Sequence, residues 1–137
     1  MVKFEVDQKN IFEVVNYIDK SINNKDIVVL LQGDLAAGKT TLVKEYLKYK
    51  NLNDEVTSPT FCLQNEYSSN IFHYDMYNKT LQEFISLGLL EEFEKTGIHF
   101  VEWGDDSLKA ILDEYGFEFI SIDIIKHNDK REYKIES

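Results

Sequence analysis

A glycine-containing segment from Gly33 to Thr40 has the pattern G-x-x-x-x-G-K-T, which is typical of a phosphate-binding loop. Its two glycines permit backbone conformations that a Cβ would obstruct, so that successive N–H groups can point inward at an anion. Lys39 would reach the β- and γ-phosphates of a nucleotide, and the Thr40 hydroxyl would bind Mg²⁺. The candidate nucleotide-binding residues here are Gly33, Asp34, Leu35, Ala36, Ala37, Gly38, Lys39, Thr40 and Thr41. The loop predicts a nucleotide ligand and leaves the reaction open.

Polar residues in three later segments extend this chemistry. Thr60 lies in a polar loop whose hydroxyls would meet the γ-phosphate or Mg²⁺, as an ordered switch segment does in GTPases. Asp75 and Glu102 each end an apolar stretch, where a carboxylate can serve Mg²⁺ or orient a water. Trp103 follows Glu102; core packing is its simpler role and nucleotide contact its functional one. His73 is interpreted as structural.

Apolar residues recur with helical and strand periods, and these periods predict the elements that position the polar residues. The β-branched and leucine run over 27–32 is typical of a strand buried on both faces of a parallel sheet. The predicted strands are 2–6, 27–32, 61–67, 70–74, 98–103, 117–126 and 131–136, and the predicted helices are 8–23, 39–50, 80–87, 89–95 and 106–114. This alternation predicts one α/β domain over 1–137, a three-layer P-loop NTPase sandwich with a mainly parallel central sheet plus antiparallel hairpins.

Composition limits the classes of function. The 137 residues, 43% of them hydrophobic, suffice for one domain with a real core and exclude disorder as the main state. No apolar run approaches the roughly 18 residues that a membrane span needs, and the N-terminus lacks a signal-peptide core, so we expect a cytoplasmic protein. A net charge of −10 has the wrong sign for a protein that binds nucleic acid without a partner, because such binding depends on Lys and Arg residues that neutralise phosphates. Cys62 is the only cysteine, which excludes an intrachain disulfide.

Four segments, in this order and spacing, resemble the TsaE family of small bacterial P-loop ATPases. The matching segments are 33–41, 58–61, 73–77 and 101–103. Their combination is more specific than the phosphate loop alone, and the similarity covers nearly the whole chain.

The resemblance implies a Mg²⁺-dependent ATPase that supports threonylcarbamoyladenosine biosynthesis on tRNA together with TsaB and TsaD. It also implies that Lys39 and Thr40 hold phosphate and Mg²⁺, and that Thr60 belongs to a switch-like segment. Asp75 and Glu102 would serve Mg²⁺ and hydrolysis, and which of the two touches the metal stays open. The preference for ATP rests on the resemblance alone, and tRNA would be reached only through the partners.

Two residues depart from the family pattern. Ala36 stands where the family usually has glycine, so the loop must accept a Cβ there. Asn78 replaces the arginine that usually ends the His-x-Asp-x-Tyr-Arg motif. The only arginine of the chain, Arg131, is far in sequence from every motif, so we expect no arginine finger in cis. The isolated protein would therefore hydrolyse ATP slowly, and its partners would accelerate it.

Two other functions remain possible at this stage. The first is a nucleotide-dependent regulator that does not hydrolyse its ligand, against which the retained Asp75 and Glu102 argue. The second is a small-molecule P-loop kinase, against which the lack of an arginine-rich lid argues. The acidic surplus is most simply a solvated surface, although part of it could dock on a basic partner surface.

Overall fold

The computed structural model describes residues 1–34, 37–57, 64–77 and 79–137. Its strands are β1 (Val2–Val6), β2 (Ile27–Gln32), β3 (Gln64–Tyr67), β4 (Ile71–Asp75), β5 (Ile98–Glu102), β6 (Phe119–His127) and β7 (Lys130–Glu136). Its α-helices are α1 (Ile11–Ile22), α2 (Lys39–Tyr49), α3 (Leu81–Ser86), α4 (Leu89–Phe93) and α5 (Asp106–Glu114), and a 3-10 helix covers Gln8–Asn10. Among these helices, none has the length and apolar content that crossing a bilayer requires.

The seven strands form one mixed sheet in the order β1-β7-β6-β2-β5-β4-β3. The central pairs β6–β2, β2–β5 and β5–β4 are parallel, whereas the outer pairs β1–β7, β7–β6 and β4–β3 are antiparallel. This arrangement confirms the predicted α/β sandwich with a mainly parallel centre and antiparallel hairpins.

Strand β2 lies at the middle of the core because both of its faces are covered. Val29 and Leu31 are fully buried on the face that carries α1 and α2. Val28 and Leu30 are equally buried on the opposite face, which carries α3, α4 and α5. A strand covered on both sides needs a continuous apolar run, which is why 27–32 lacks the alternation of a half-exposed strand.

Several of the predicted boundaries differ from those of the structure by one to three residues, and local backbone geometry explains two of the differences. The predicted helix 8–23 begins as a 3-10 turn, because Asp7 caps it by accepting a hydrogen bond from the Asn10 N–H. The predicted strand 98–103 ends one residue early, because Trp103 has a left-handed φ of 66°. The predicted strand 117–126 begins at Phe119, and residues 61–63 lie outside the described residues.

The sheet brings the polar segments to one edge. The phosphate loop leaves the carboxyl end of β2, and parallel pairing aligns Leu31 with Glu102 on β5. Glu102 in turn pairs with Asp75 at the end of β4. Ligands of open α/β sheets bind outside the carboxyl ends of the strands, so this edge is the expected place for a nucleotide.

We predict that Phe100→Ala lowers the free energy of unfolding by about 3–5 kcal/mol, because a buried aromatic ring is replaced by a cavity. Phe100 is fully buried, with its ring centroid 5.3 Å from that of Tyr46. The control is Phe12→Ala, since the Phe12 side chain is 60% exposed and its loss should change stability by about 0.5 kcal/mol or less. Urea unfolding measures both values, and similar losses in the two variants would contradict the packing.

Candidate nucleotide-binding site

The phosphate loop is shaped by glycines at positions that exclude a side chain. Gly33 has a φ of +156°, and a Cβ there would lie 2.6 Å from the Ile124 carbonyl oxygen of β6. Gly38 has a φ of +112° and is the N-cap of α2. The loop thus passes close to β6 and then opens directly into a helix N-terminus, where backbone N–H groups and the helix dipole favour an anion.

Lys39 lies folded back over this loop. Its Nζ donates hydrogen bonds to the backbone carbonyls of Gly33, at 2.7 Å, and Asp34, at 2.9 Å. The ammonium also lies 4.0 Å from the centroid of the Trp103 ring, a cation–π distance. Burial lowers the pKa of Lys39 below its usual value, and the carboxylates of Glu102 and Asp75 partly oppose the shift. A buried cation is therefore held at the loop by neutral oxygens and an aromatic face.

Glu102 connects α2 to the neighbouring strands. Its Oε2 accepts a hydrogen bond from the Thr40 hydroxyl at 2.7 Å and lies 2.5 Å from His73 Nε2. The Glu102 side chain is only 5% exposed and that of His73 is fully buried. An ionised carboxylate can only accept hydrogen bonds. We therefore assign the ring proton of His73 to Nε2, which donates to Glu102, and leave Nδ1 as the acceptor nitrogen.

Tyr67 continues this chain of hydrogen bonds. Its hydroxyl lies 2.9 Å from His73 Nδ1 and 3.2 Å from the Thr57 carbonyl oxygen. Burial raises the pKa of Tyr67, which keeps the hydroxyl protonated and able to donate to Nδ1. The Thr57 carbonyl oxygen has another donor, since it accepts a hydrogen bond from the Asn65 amide at 3.0 Å. Because the Tyr67 hydroxyl has a single proton and donates it to Nδ1, the relay of hydrogen bonds runs from Tyr67 through His73 and Glu102 to the Thr40 hydroxyl.

Asp75 and Trp103 flank Lys39. Asp75 is buried, and one of its oxygens accepts a hydrogen bond from the Tyr77 N–H at 2.9 Å. The Tyr77 and Trp103 rings pack with their centroids 5.1 Å apart. Trp103 thus lies beside the predicted phosphate-binding lysine, and it also packs against the core formed with α3, α4 and α5.

Arg131 lies against the phosphate loop, although it is 93 positions along the chain from Gly38 and on the last strand. A Cβ built on Gly38 would be 2.7 Å from its Nη1 and 3.0 Å from its Cζ. Distance in sequence therefore does not keep this arginine away from the phosphate loop, and the expectation that no arginine finger acts in cis stays a prediction. The physical reason for the contact is the strand order, which puts β7 beside β6, and β6 pairs with β2 immediately before the loop.

The structure thus brings together Lys39, Thr40, Asp75, Glu102 and Trp103 of the predicted site. The Ala37 N–H donates a hydrogen bond to the Asp34 carbonyl oxygen. Thr41 is half-buried in the first turn of α2. Leu35, Ala36, Thr60 and Asn78 lie outside the described residues, so their predicted roles stay predictions.

Sequence reasoning missed two members of the relay. His73 was interpreted as structural and Tyr67 was not singled out, yet their side chains hold Glu102. The signal available was the position of His73, two residues before Asp75 in a strand, which puts both side chains on one face of the sheet.

We predict that Tyr67→Phe lowers the free energy of unfolding by about 1–3 kcal/mol, because His73 Nδ1 loses its buried donor. Tyr17→Phe is the control, since Tyr17 packs on Phe4 with no hydroxyl hydrogen bond among the described residues. Chemical denaturation measures stability, and ¹⁵N NMR of the His73 ring reports its tautomer. Equal stability changes and an unchanged His73 spectrum would contradict the relay.

Comparison with known proteins identifies the family. A family model described as "Threonylcarbamoyl adenosine biosynthesis protein TsaE" matches residues 6–134. The TsaE protein of Treponema pallidum is 41% identical over 91 residues, which cover 64% of this chain and 67% of the relative. The TsaE of Haemophilus influenzae is 33% identical over 115 residues, which cover 81% of this chain and 70% of the relative.

A further relative matches over a shorter stretch, and a solved structure shares the fold. The TsaE of a Nostoc species is 41% identical over 85 residues, so that the match spans 57% of this chain and about half (52%) of the relative. The crystal structure of Bacillus subtilis YdiB has the same fold, with a TM-score of 0.68 and 24% identity, over 98% of this chain and 83% of that one. Together with the family match over residues 6–134, these findings establish that the chain belongs to the TsaE family of tRNA threonylcarbamoyladenosine biosynthesis proteins.

Proposed function

We propose that this protein is a Mg²⁺-dependent ATPase that supports threonylcarbamoyladenosine modification of tRNA together with a TsaB–TsaD complex. The observation that carries the proposal is the hydrogen bond from the Thr40 hydroxyl to Glu102, which joins the phosphate loop to a buried carboxylate. Its surroundings supply a cation, Lys39, and a second buried carboxylate, Asp75. These groups are the parts that phosphoryl transfer from a nucleotide requires.

Phosphate binding would begin with the loop backbone and Lys39. The carbonyls of Gly33 and Asp34 are neutral acceptors, so an anionic phosphate oxygen is a stronger partner for the ammonium. Lys39 would exchange these carbonyls for the β- and γ-phosphates without leaving the loop. The stacked Trp103 ring limits where the lysine can turn.

The donor set fits Mg²⁺, which prefers a few oxygen ligands. The Thr40 hydroxyl donates its proton to Glu102, which leaves its oxygen lone pairs to face a cation. Bound Mg²⁺ would neutralise charge on the β- and γ-phosphate oxygens. Thr40, Asp75 and Glu102 are the residues that would hold it, with Glu102 acting at least in part through Thr40.

Hydrolysis would use the same carboxylates for a second purpose. Glu102 is fixed by Thr40 and His73, so its charge is held in one place at the edge of the sheet. Either Glu102 or Asp75 would orient the attacking water, and Thr60 would contribute a hydroxyl from the switch-like segment, as the family resemblance implies. The relay begins at Tyr67, whose hydroxyl lies 3.2 Å from the Thr57 carbonyl oxygen, and Thr57 is close in sequence to that segment.

A partner would complete the site. Arg131 is carried by β7 and lies against Gly38, on the β6 side of the loop, whereas Asp75 and Glu102 end the strands on the β5 side. A site lacking an arginine finger is slow, and one supplied by another protein can raise the rate by about 10³–10⁵. With a net charge of −10, the chain would reach tRNA only indirectly, through TsaB–TsaD in the cytoplasm.

We predict that phosphate release from Mg-ATP is slow with the protein alone and rises at least tenfold when its cognate TsaB and TsaD are added. Lys39→Ala should reduce release to the background, because the phosphates lose their cation. The control is Lys44→Ala, an exposed lysine on the same helix, which should leave release unchanged. Equal turnover with and without partners would contradict completion of the site in trans.

We predict that Glu102→Gln retains binding of Mg-ATP within about tenfold and lowers phosphate release by about 10²–10⁴, because the amide keeps the shape and loses the charge. Asp75→Asn tests the other carboxylate in the same assay, which identifies the one on which turnover depends more strongly. Stoichiometric ATP binding by the wild type without phosphate release, even with partners, would instead indicate a regulator or a kinase awaiting its acceptor.

A further inference from the structure

The three antiparallel strands at one side of the sheet, β1, β7 and β6, have one apolar face and one polar face. Side chains on the apolar face, among them Phe4, Tyr133 and Ile124, pack in the core with α1 and α2. Since side chains alternate along a strand, the residues between them lie on the other face. Most of those residues are charged or can be charged: Lys3 and Glu5 of β1, Glu132 and Lys134 of β7, Asp123 and His127 of β6.

Two glutamates lie directly opposite each other on this polar face. Strand pairing aligns Glu5 of β1 with Glu132 of β7. The next pair on the same face is Lys3 opposite Lys134, so the register does not place each lysine opposite a glutamate. Like charges in directly opposite positions of an antiparallel pair are unfavourable. A cation bound between the two carboxylates would remove their repulsion.

His127 brings a nitrogen ligand to the two carboxylates. It follows Ile125, the β6 residue that pairs with Glu132, by two positions and therefore lies on the same face. Its Nε2 is 3.9 Å from a carboxylate oxygen of Glu132. One ligand atom from each of Glu5, His127 and Glu132 lies within 4.8 Å of the other two.

Small rotations would bring these three ligand atoms to a metal ion. Bonds of about 2.0–2.2 Å in a tetrahedral site place neighbouring ligand atoms roughly 3.4 Å apart, which is shorter than the present spacing by an ångström or so. Glu5 and His127 are exposed, so their side chains have room to turn. No movement of the strands is required.

Glu132 lies among cations without a side-chain hydrogen bond from the part of the chain that the structure describes. Its side chain is only 12% exposed, and the Nζ atoms of Lys3 and Lys134 lie 3.4 and 3.8 Å from its oxygens. These distances exceed the roughly 2.7–2.9 Å of a charge-assisted hydrogen bond. A carboxylate that is largely buried and has only distant partners keeps lone pairs available to a metal ion.

The ligand set selects a class of cation. One imidazole nitrogen and two carboxylate oxygens suit Zn²⁺ and neighbouring divalent transition metals. Mg²⁺ prefers oxygen ligands alone, so the histidine distinguishes this group from the proposed Mg²⁺ ligands at the phosphate loop. Three protein ligands leave a coordination position for water or for a group from another molecule.

We propose that Glu5, His127 and Glu132 form a binding site for a divalent transition-metal ion such as Zn²⁺. The ion would join β1 to the β6–β7 hairpin. Arg131 precedes Glu132 and lies on the opposite face of that hairpin, against Gly38. The metal site does not depend on the proposed ATPase activity.

The test is isothermal titration calorimetry of the untagged full chain with Zn²⁺, in excess Mg²⁺ so that sites made only of oxygen are occupied. The wild type should bind one Zn²⁺ per chain. His127→Ala and Glu5→Gln should each weaken Zn²⁺ binding by at least about tenfold, because each removes a ligand. Both side chains are exposed, so neither change should disturb folding.

Glu136→Gln is the matched control. Glu136 lies on the same face of β7 as Glu132, nearer the end of the strand, and the change removes the same charge as Glu5→Gln. It should leave the Zn²⁺ affinity unchanged. Lys3→Gln should strengthen Zn²⁺ binding, because one ammonium no longer competes for the Glu132 carboxylate.

NMR of the histidine rings locates the ion in the same titration. Zn²⁺ should shift the ¹⁵N resonances of the His127 ring and leave those of the buried His73 and His99 rings in place. Absence of Zn²⁺ binding, equal affinity in the wild type and His127→Ala, or an equal loss in Glu5→Gln and Glu136→Gln would each overturn the site. None of these results would affect the proposed ATPase function.

Discussion

The hydrogen bond between the Thr40 hydroxyl and the Glu102 carboxylate is the interaction on which the site depends. It joins the first turn of α2 to the end of β5, and the same carboxylate oxygen is held by His73 on β4. One buried oxygen therefore ties α2 to two neighbouring strands of the sheet. Because a buried carboxylate is costly unless its hydrogen bonds are satisfied, the local sequence around β4 and β5 has to supply donors.

The same carboxylate also affects the charge of Lys39. Burial disfavours its charge, and the nearby carboxylates Glu102 and Asp75 restore part of what burial removes. The loop carbonyls and the Trp103 ring hold the ammonium. The site is thus built around a cation that is held by neutral oxygens and an aromatic face, which are weaker partners for an ammonium than an anionic oxygen would be.

The carboxyl edge of the sheet carries different charges on the two sides of β2. The parallel strands on one side end in carboxylates, and the antiparallel hairpin on the other side brings Arg131 to the loop. The hairpin can extend past the end of β2 because its strands pair with each other and with β1 rather than with further parallel strands. The mixed character of the sheet is therefore part of how this edge is built, since a parallel partner for β6 would require a long crossover connection in place of the tight β6–β7 turn.

Local pattern in the sequence determined the elements and half of the site. The apolar run of β2, the glycines at 33 and 38 and the position of Lys39 are consequences of local chemistry, because a loop that wraps an anion needs small residues and a helix start. The carboxylates Asp75 and Glu102 were also predictable, since each ends a strand. Only the tertiary structure decided that His73 and Tyr67 fix Glu102 and that Arg131 meets Gly38. Those contacts depend on strand order and on which face each side chain takes, and pairing between strands distant in the chain is not encoded in any local window of residues.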